Sequence, residues 1–248
     1  MSDAELLARW HRDEAARFQG WDFSYIADRF VEASPPWDYP ALARQLIAGS
    51  SAVLDMETGG GEMFAGLAPF RGRTVAIEAY SPNVAIAKRR LEPLGVEVLE
   101  AHATGPLPFS DSTFDLALNR HGAFNAKELA RVLRSGGTFL TQQVAGDDLV
   151  DLMARFGAEH QWPDHTLANV ARDVAAAGFA ILRAEEWRGV TCFDDVGALI
   201  YFLKASPFVV PNFSIDRHLE VLKTLHAERE SKASLEFISS RFLIHAQR

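Results

Sequence analysis

The stretch Val53-Leu-Asp-Met-Glu-Thr-Gly-Gly-Gly-Glu62 decides the predicted fold. An apolar run at its start leads directly into polar residues and three consecutive glycines. Because glycine accepts tight turns and leaves room for a ligand beside the backbone, the stretch predicts a strand, a turn and a helix with a binding site at the turn. The residues expected to contribute to that site are Asp55, Met56, Glu57, Gly59 and Gly61.

Short apolar runs alternate with helical stretches over most of the chain after this point. Helices between strands allow neighbouring strands to run parallel, with helices covering both faces of the sheet. The pattern therefore predicts an α/β, Rossmann-like fold with a seven-stranded, mostly parallel sheet. The predicted strands are 52–56, 74–78, 96–100, 114–119, 137–143, 180–190 and 235–246, and the first helices between them are 62–67, 82–91 and 126–133.

Two common nucleotide sites do not match the glycine turn. A triphosphate-binding loop ends in Gly-Lys-Ser/Thr, whereas Gly61 is followed by Glu-Met. A dinucleotide site requires Gly-x-Gly-x-x-Gly/Ala, and the sixth position counted from Gly59 is Phe64, so this alternative ranks second. Glu78 ends the next strand and can accept hydrogen bonds from both hydroxyls of a ribose, so an adenosine-type ligand is favoured.

Two further motifs follow the glycine turn in order along the chain. Leu107-Pro-Phe-Ser-Asp-Ser-Thr-Phe-Asp-Leu-Ala-Leu-Asn119 leads into the fourth strand, and Leu129-Ala-Arg-Val-Leu-Arg-Ser-Gly-Gly137 precedes the fifth. Together the three motifs resemble those of class I S-adenosylmethionine-dependent methyltransferases of the type 11 kind, and the resemblance covers about residues 52–143. It implies a methyltransferase with S-adenosyl-L-methionine as its cofactor.

The resemblance assigns the cofactor to residues at the ends of the first four strands. In that register Glu57 replaces the first glycine of the family turn, and His102-Ala103 replaces an Asp-Ala pair. The Glu57 carboxylate repels the cofactor carboxylate and attracts its ammonium and sulfonium, while the Ala103 N–H is expected to meet adenine. His102 is either an adenine donor or a solvated loop residue. The implied cofactor-binding residues are Asp55, Met56, Glu57, Gly59, Gly61, Glu78, Ala79, His102, Ala103 and Asn119.

The run Asn119-Arg120-His121 follows the fourth strand, where the resemblance places the methyl-transfer site. Methyl transfer from a sulfonium is an in-line displacement, so the protein mainly aligns the nucleophile and, where needed, removes a proton. Arg120 is the candidate to bind a substrate carboxylate, and His121 is the candidate base. The alternatives are a surface ion pair for Arg120 and a loop hydrogen bond for His121.

Gln142 and Gln143 end the fifth strand at the same edge of the sheet. Because side chains alternate along a strand, only one of the two is expected to face the site, and a buried structural amide is the alternative role. The aromatic residues Trp37 and Tyr39, nearer the N-terminus, are candidates for the apolar core or for a roof that excludes water from the methyl group.

Residues 1–248 are predicted to form a single methyltransferase domain. Residues 1–50 form a helical preface, residues 51–145 the cofactor-binding core, and residues 194–232 a late helical insertion. The preface and the insertion are candidates for a lid over one edge of the sheet. Paired acids along the chain stand where helices are expected to begin, so no metal site is predicted.

The composition narrows the choice of partners. A net charge of −8 and a pI near 5.5 argue against a general attraction to nucleic acid. The single cysteine, Cys192, excludes an internal disulfide and a four-cysteine zinc site, which fits a reduced, cytoplasmic location. Neither a signal peptide nor a membrane span is predicted, so we expect a soluble protein with a small-molecule substrate and no membrane contact. The oligomeric state is left open.

The leading interpretation is therefore a methyltransferase that acts on a small molecule. RNA or protein methylation is the alternative among enzymes, and it requires a basic surface beside the pocket. A third interpretation is a methyltransferase-fold binding protein without turnover, prompted by the carboxylate of Glu57 in the glycine turn.

Overall fold

The structure is a computed structural model that describes residues 3–19 and 21–248. Residues 1, 2 and 20 of the predicted preface lie outside the described residues. The helices are α1 (Asp3–Ala15), α2 (Tyr39–Ala48), α3 (Glu62–Ala65), α4 (Ser81–Leu91), α5 (Ala126–Val132), α6 (Val150–Arg155), α7 (Leu167–Ala176), α8 (Val196–Ala205) and α9 (Ile215–Glu230). The strands are β1 (Phe30–Glu32), β2 (Ala52–Met56), β3 (Arg73–Glu78), β4 (Val96–Glu100), β5 (Phe114–Arg120), β6 (Leu133–Val144), β7 (Ala180–Phe193) and β8 (Leu235–Gln247).

The strands of the described residues form a sheet with the order β1-β7-β8-β6-β5-β2-β3-β4. The pairs among β4, β3, β2, β5 and β6 are parallel, whereas β8 pairs antiparallel with β6, and β1 with β7. The mostly parallel α/β sheet was predicted, but the count of seven strands was wrong by one. The additional strand, β1, has only three residues within the predicted helical preface, which is too short for an alternating pattern to appear.

The chain divides into two compact units, and one of them comprises residues 36–145, 164–187 and 241–248. Apolar clusters cover both faces of its central strands β2 and β6, and alternate residues of each strand belong to opposite clusters. Leu54 and Phe139 belong to the first cluster, and Val53 and Leu140 belong to the second. Two buried faces explain why these strands are continuous apolar runs.

The other unit combines the described residues up to 35 with residues 146–163 and 188–240. It has an apolar core of its own, to which Trp10 of α1, Leu199 of α8 and Leu222 of α9 contribute. The first helix of the predicted preface and the predicted insertion therefore share one core. The single-domain interpretation and the lid roles stay predictions.

The Phe-Asp step of the motif before β5 has a structural role. Asp115 is buried and accepts hydrogen bonds from the Ser51 backbone N–H at 2.8 Å, the Ser51 hydroxyl at 2.6 Å and the Ala52 N–H at 3.0 Å. Burial alone opposes ionisation, but these donors and Arg134 lower the pKa of Asp115 below its usual value. The carboxylate thus joins the start of β2 to β5.

Arg131 of α5 holds the loop that carries the rest of that motif. Its guanidinium donates to the Leu107 carbonyl at 2.9 Å and the Phe109 carbonyl at 2.6 Å. Glu128 accepts from the Leu107 N–H and from Arg131, both at 2.8 Å, and the pKa of Glu128 is lowered to about 2 by Arg131 first and by that N–H second. The second and third motifs therefore bind each other in the fold.

Within the described part of the chain, no helix combines the length and the apolar character needed to cross a membrane.

Candidate functional site

The predicted site residues lie at one edge of the sheet. Because β2, β3, β4 and β5 are parallel, their carboxyl ends meet there. Met56 at the end of β2 is paired with Ile77 of β3 and with Asn119 of β5, and Glu78 is paired with Glu100 of β4. The structure therefore brings together the segments that follow these strands.

The glycine turn requires unusual backbone angles at several positions. Gly59 and Gly61 have φ values of +63° and +78°, in the left-handed region that favours glycine. A Cβ on Gly61 would stand 2.8 Å from the Leu91 side chain, whereas the place of a Cβ on Gly59 has no other described atom within 4 Å beyond its chain neighbours. Gly59 thus faces open space. Glu57 also has a positive φ, +58°, which costs a non-glycine residue about 1–2 kcal/mol.

Glu78 connects the end of β3 to the glycine turn. Its carboxylate is buried and accepts from the Gly59 N–H at 2.7 Å and from the Tyr80 N–H at 2.8 Å. A carboxylate has about four acceptor positions, so two remain for ligand hydroxyls. Ala79, which lies between Glu78 and Tyr80 in the sequence, is half-buried.

The Glu57 side chain extends from β2 to the loop after β4. Its Oε1 accepts from the Ala103 N–H at 3.0 Å. Burial raises the pKa of Glu57, and the Glu78 charge adds to this, while the Ala103 N–H and exposed His102 act in the opposite direction. The N–H that the resemblance assigns to adenine is therefore bound to a side chain of the protein itself, which the sequence did not indicate.

Asp55 lies in β2, two residues before Glu57, and is almost fully buried, at 2% exposure. Burial raises its pKa to about 7, opposed by the Thr58 hydroxyl and assisted by the Glu78 charge. Its protonated form therefore persists to a higher pH than that of an ordinary aspartate, a property of buried acids that a sequence pattern does not reveal.

Asn119 is fully buried, and hydrogen bonds occupy both ends of its side chain. Its Nδ2 donates to the Met56 carbonyl at 3.1 Å, and its Oδ1 accepts from Thr141 at 3.1 Å and from Gln143 at 2.5 Å. Its own carbonyl accepts from the Tyr39 hydroxyl at 3.1 Å. These bonds join β2, β5 and β6, so the side chain has a structural role in addition to any contact with a ligand.

His121 follows β5 with a φ of +62° and is partly buried. The backbone N–H of His121 donates to the Gln142 carbonyl at 2.8 Å, and the ring Nε2 of His121 lies 2.9 Å from the side-chain Nε2 of Gln142. Burial lowers the pKa of His121 well below 6.5, and the positive charges of Arg120 and Arg241 add to this effect. The imidazole is therefore neutral, and half-buried Arg120 stands beside it.

The two glutamines of β6 have different partners, as alternation predicts. Gln142 accepts from the Trp37 indole at 2.8 Å, while Gln143 donates to the Gly122 carbonyl at 3.0 Å and its Oε1 lies 3.3 Å from the His165 Nε2. Both amides are buried, which agrees with the structural alternative for each. Trp37 belongs to the core, at 6% exposure.

A cavity of about 620 Å³ adjoins the loop after His121. Phe124 and Val170 contribute apolar surface, and Lys127, His165 and Asp173 contribute polar groups. The sequence indicated neither this cavity nor His165, because its residues come from segments that are far apart along the chain.

Comparison with known proteins agrees with this description. Residues 54–141 match the family model of a methyltransferase domain. That segment covers less than half of the chain and runs from β2 into β6, through the glycine turn, Glu78 and Asn119. No curated protein sequence matches the chain.

Several solved structures share the fold. A protein of Bacillus halodurans aligns with a TM-score of 0.61 at 20% identity, over 84% of this chain and 98% of that one. A methyltransferase of Thiobacillus denitrificans, solved with S-adenosyl-L-homocysteine, aligns with a TM-score of 0.51 at 18% identity, over 91% and 97%. The [4+2]-cyclase SpnF aligns with a TM-score of 0.53 at 16% identity, over 98% and 93%.

At such identities the comparison concerns the fold. The chain has the class I methyltransferase fold that the resemblance predicted, and its segment 54–141 matches the model of a methyltransferase domain.

Proposed function

We propose that this protein is an S-adenosylmethionine-dependent methyltransferase that acts on a small molecule. The observation that carries the proposal is the bond from the Gly59 N–H to Glu78, because it places a carboxylate beside an open glycine turn within the segment matched by the family model. The cofactor is supported by the Thiobacillus denitrificans methyltransferase of the same fold, which binds S-adenosyl-L-homocysteine.

The residues present fit the ribose side of this cofactor. Glu78 keeps acceptor positions for two hydroxyls, and the turn is open above Gly59. On the adenine side the Glu57 side chain must first release the Ala103 N–H. When bound, S-adenosylmethionine supplies the activated methyl group, and the protein orients the acceptor for in-line displacement.

The substrate class is supported by the cavity beside the loop after His121. Its volume of about 620 Å³ lies within the range of small-molecule sites. Phe124 and Val170 provide apolar contact, and Lys127 and Asp173 provide a few polar groups, which is the usual composition of such a pocket. The net charge of −8 also favours a small molecule over nucleic acid.

A second candidate function is that of a methyltransferase-fold binding protein without turnover. The specific observation in its favour is the hydrogen bond between Glu57 and Ala103, since this contact competes with a cofactor. The [4+2]-cyclase SpnF also shows that proteins of this fold are not limited to methyl transfer.

Calorimetric titration with S-adenosyl-L-homocysteine tests the proposal. We expect binding to the wild-type protein and a loss of roughly tenfold or more in Glu78→Ala, because two hydrogen bonds to a charged group disappear. Glu97→Ala removes an exposed carboxylate from β4 and serves as the control, with unchanged affinity.

Three outcomes separate the candidates. Binding by the wild-type protein together with loss in Glu78→Ala supports the cofactor site of the methyltransferase and removes the competition by Glu57 as an argument for a protein without turnover. Absence of heat at millimolar ligand in both the wild-type protein and Glu57→Gly refutes a site for this cofactor. Binding by Glu57→Gly alone supports the protein without turnover.

A further inference from the structure

The hydrogen bonds of Gln142 determine how its side-chain amide is oriented. The Trp37 Nε1–H donates to the Gln142 Oε1 at 2.8 Å, and the indole nitrogen can only donate. The atom that faces it must therefore be the amide oxygen. The amide nitrogen then faces the His121 Nε2, at 2.9 Å.

This orientation determines the tautomer of His121. The NH₂ group of an amide can only donate, so the His121 Nε2 must accept the hydrogen bond from Gln142. A neutral imidazole has a single N–H, which consequently lies on Nδ1. The nitrogen that is able to accept a proton is already engaged, and the other nitrogen is a donor.

Protonation of this ring is unfavourable for a geometric and an electrostatic reason. An imidazolium would direct an N–H group at the N–H group of Gln142. Burial of the ring disfavours a positive charge, and the guanidinium groups of Arg120 and Arg241 add to this effect. The backbone N–H of His121 donates to the Gln142 carbonyl, so the same residue positions both main chain and ring.

We infer that His121 is a fixed Nδ1–H hydrogen-bond donor of the candidate site and not the base that takes a proton from the methyl acceptor. Trp37 and Gln142 act through it as positioning residues. The inference rests on the proposed function. It implies that a methyl acceptor that reaches the site protonated must lose its proton to a group other than His121.

Nitrogen-15 NMR of histidine-labelled protein tests the tautomer without cofactor. The chain has 8 histidines, so His121→Gln is used to assign the signals of His121. We expect a protonated, pyrrole-type Nδ1 and an unprotonated, pyridine-type Nε2 that stay unchanged between about pH 5 and 8, where a histidine of ordinary pKa titrates.

Gln142→Glu replaces the amide nitrogen that faces His121 by an oxygen and should move the His121 proton from Nδ1 to Nε2. A carboxylate still accepts from the Trp37 indole, but it also accepts from His121, so the proton is expected on Nε2 and the pKa of His121 should rise. Trp37→Phe removes the constraint on the amide and should give a mixture of both tautomers. Gln161→Glu makes the same chemical change at an exposed residue and should leave the His121 signals unchanged.

A proton on Nε2 in the wild-type protein, or titration of His121 near pH 6.5, overturns the inference. A folded Gln142→Glu protein that retains the wild-type tautomer also overturns it. If Gln142→Glu does not fold, the wild-type spectrum and Trp37→Phe still decide. Failure to bind S-adenosyl-L-homocysteine refutes the proposed function instead, and it is measured separately.

Discussion

The substitution Glu57→Gly should increase the affinity for S-adenosyl-L-homocysteine. In the structure the Glu57 carboxylate accepts from the Ala103 N–H at 3.0 Å. A ligand that uses this N–H must displace the carboxylate, so the bond present in the free protein is subtracted from the free energy of binding. Removal of the side chain removes that competition.

The structure also indicates the size of the effect. A hydrogen bond to a charged group contributes about 1.5–3 kcal/mol in net free energy. The Glu57 side chain is only half-buried and regains hydration when it moves away, so the lower end of this range applies. About 1.4 kcal/mol is a tenfold change in Kd, and we therefore expect roughly tenfold tighter binding.

Two variants separate the contributions of Glu57. Glu57→Ala should gain the same affinity, since it removes the same carboxylate, but it should be about 1 kcal/mol less stable than Glu57→Gly because residue 57 has a φ of +58°. Glu57→Gln keeps an acceptor for the Ala103 N–H without the charge and should gain less. Titration calorimetry measures the affinities, and urea unfolding measures the stabilities.

The reasoning is refuted if neither Glu57→Gly nor Glu57→Ala binds more tightly than the wild-type protein. That result would mean that the carboxylate contributes to the bound state as much as it contributes to the free state, for example through the ammonium of the ligand.

Three further predictions concern stability, measured by urea unfolding. The free energy of unfolding of Asp55→Asn should rise relative to that of the wild-type protein by up to about 1.4 kcal/mol per pH unit between pH 3.8 and about 7. The reason is that the Asp55 carboxyl binds its proton more tightly in the folded protein than in the unfolded chain. A difference in stability that does not change with pH contradicts this. Asp115→Asn should be less stable than the wild-type protein at neutral pH, and this difference should shrink as pH falls. The reason is that the lowered pKa of Asp115 stabilises the fold at neutral pH and that contribution is lost in acid. A difference that persists unchanged in acid contradicts this. Arg131→Lys should lower the free energy of unfolding by about 1–3 kcal/mol, because lysine lacks the planar guanidinium that binds two carbonyls. Arg172→Lys, at an exposed position, should change it little. Equal losses in the two variants contradict this.

β2 could be predicted because it is a buried apolar run, and β4 because its apolar residues alternate with polar ones. β2 was predicted as 52–56 and β4 as 96–100, and the structure has the same bounds. The start of β6 at Leu133 was missed, since the apolar period of α5 continues through it and the glycines beyond were assigned to the turn. The short strand β1 depends on its pairing with β7, which local sequence does not contain.

The common edge of the predicted site residues could be predicted, but their side-chain contacts could not. Parallel strands bring their carboxyl ends together whatever side chains they have, so the motif order was sufficient to place Glu78 and Asn119 at one edge. The contact of Glu57 with Ala103 depends on rotamers and on a loop 46 residues away in sequence. The tautomer of His121 likewise depends on the contact between Gln142 and Trp37, which is far away in sequence.

The motifs that support the resemblance therefore carry two kinds of information. Asp115 and Arg131 hold β2, β5 and the loop before β5 together, so their presence reports the fold. Glu78 and Glu57 lie at the glycine turn, where the proposed cofactor would bind, and here the chain departs from the motif it resembles at Glu57. A motif match can thus be complete in its structural part while the ligand site differs. For this reason the affinity of the Glu57 variants is more informative about function than any further comparison of the fold.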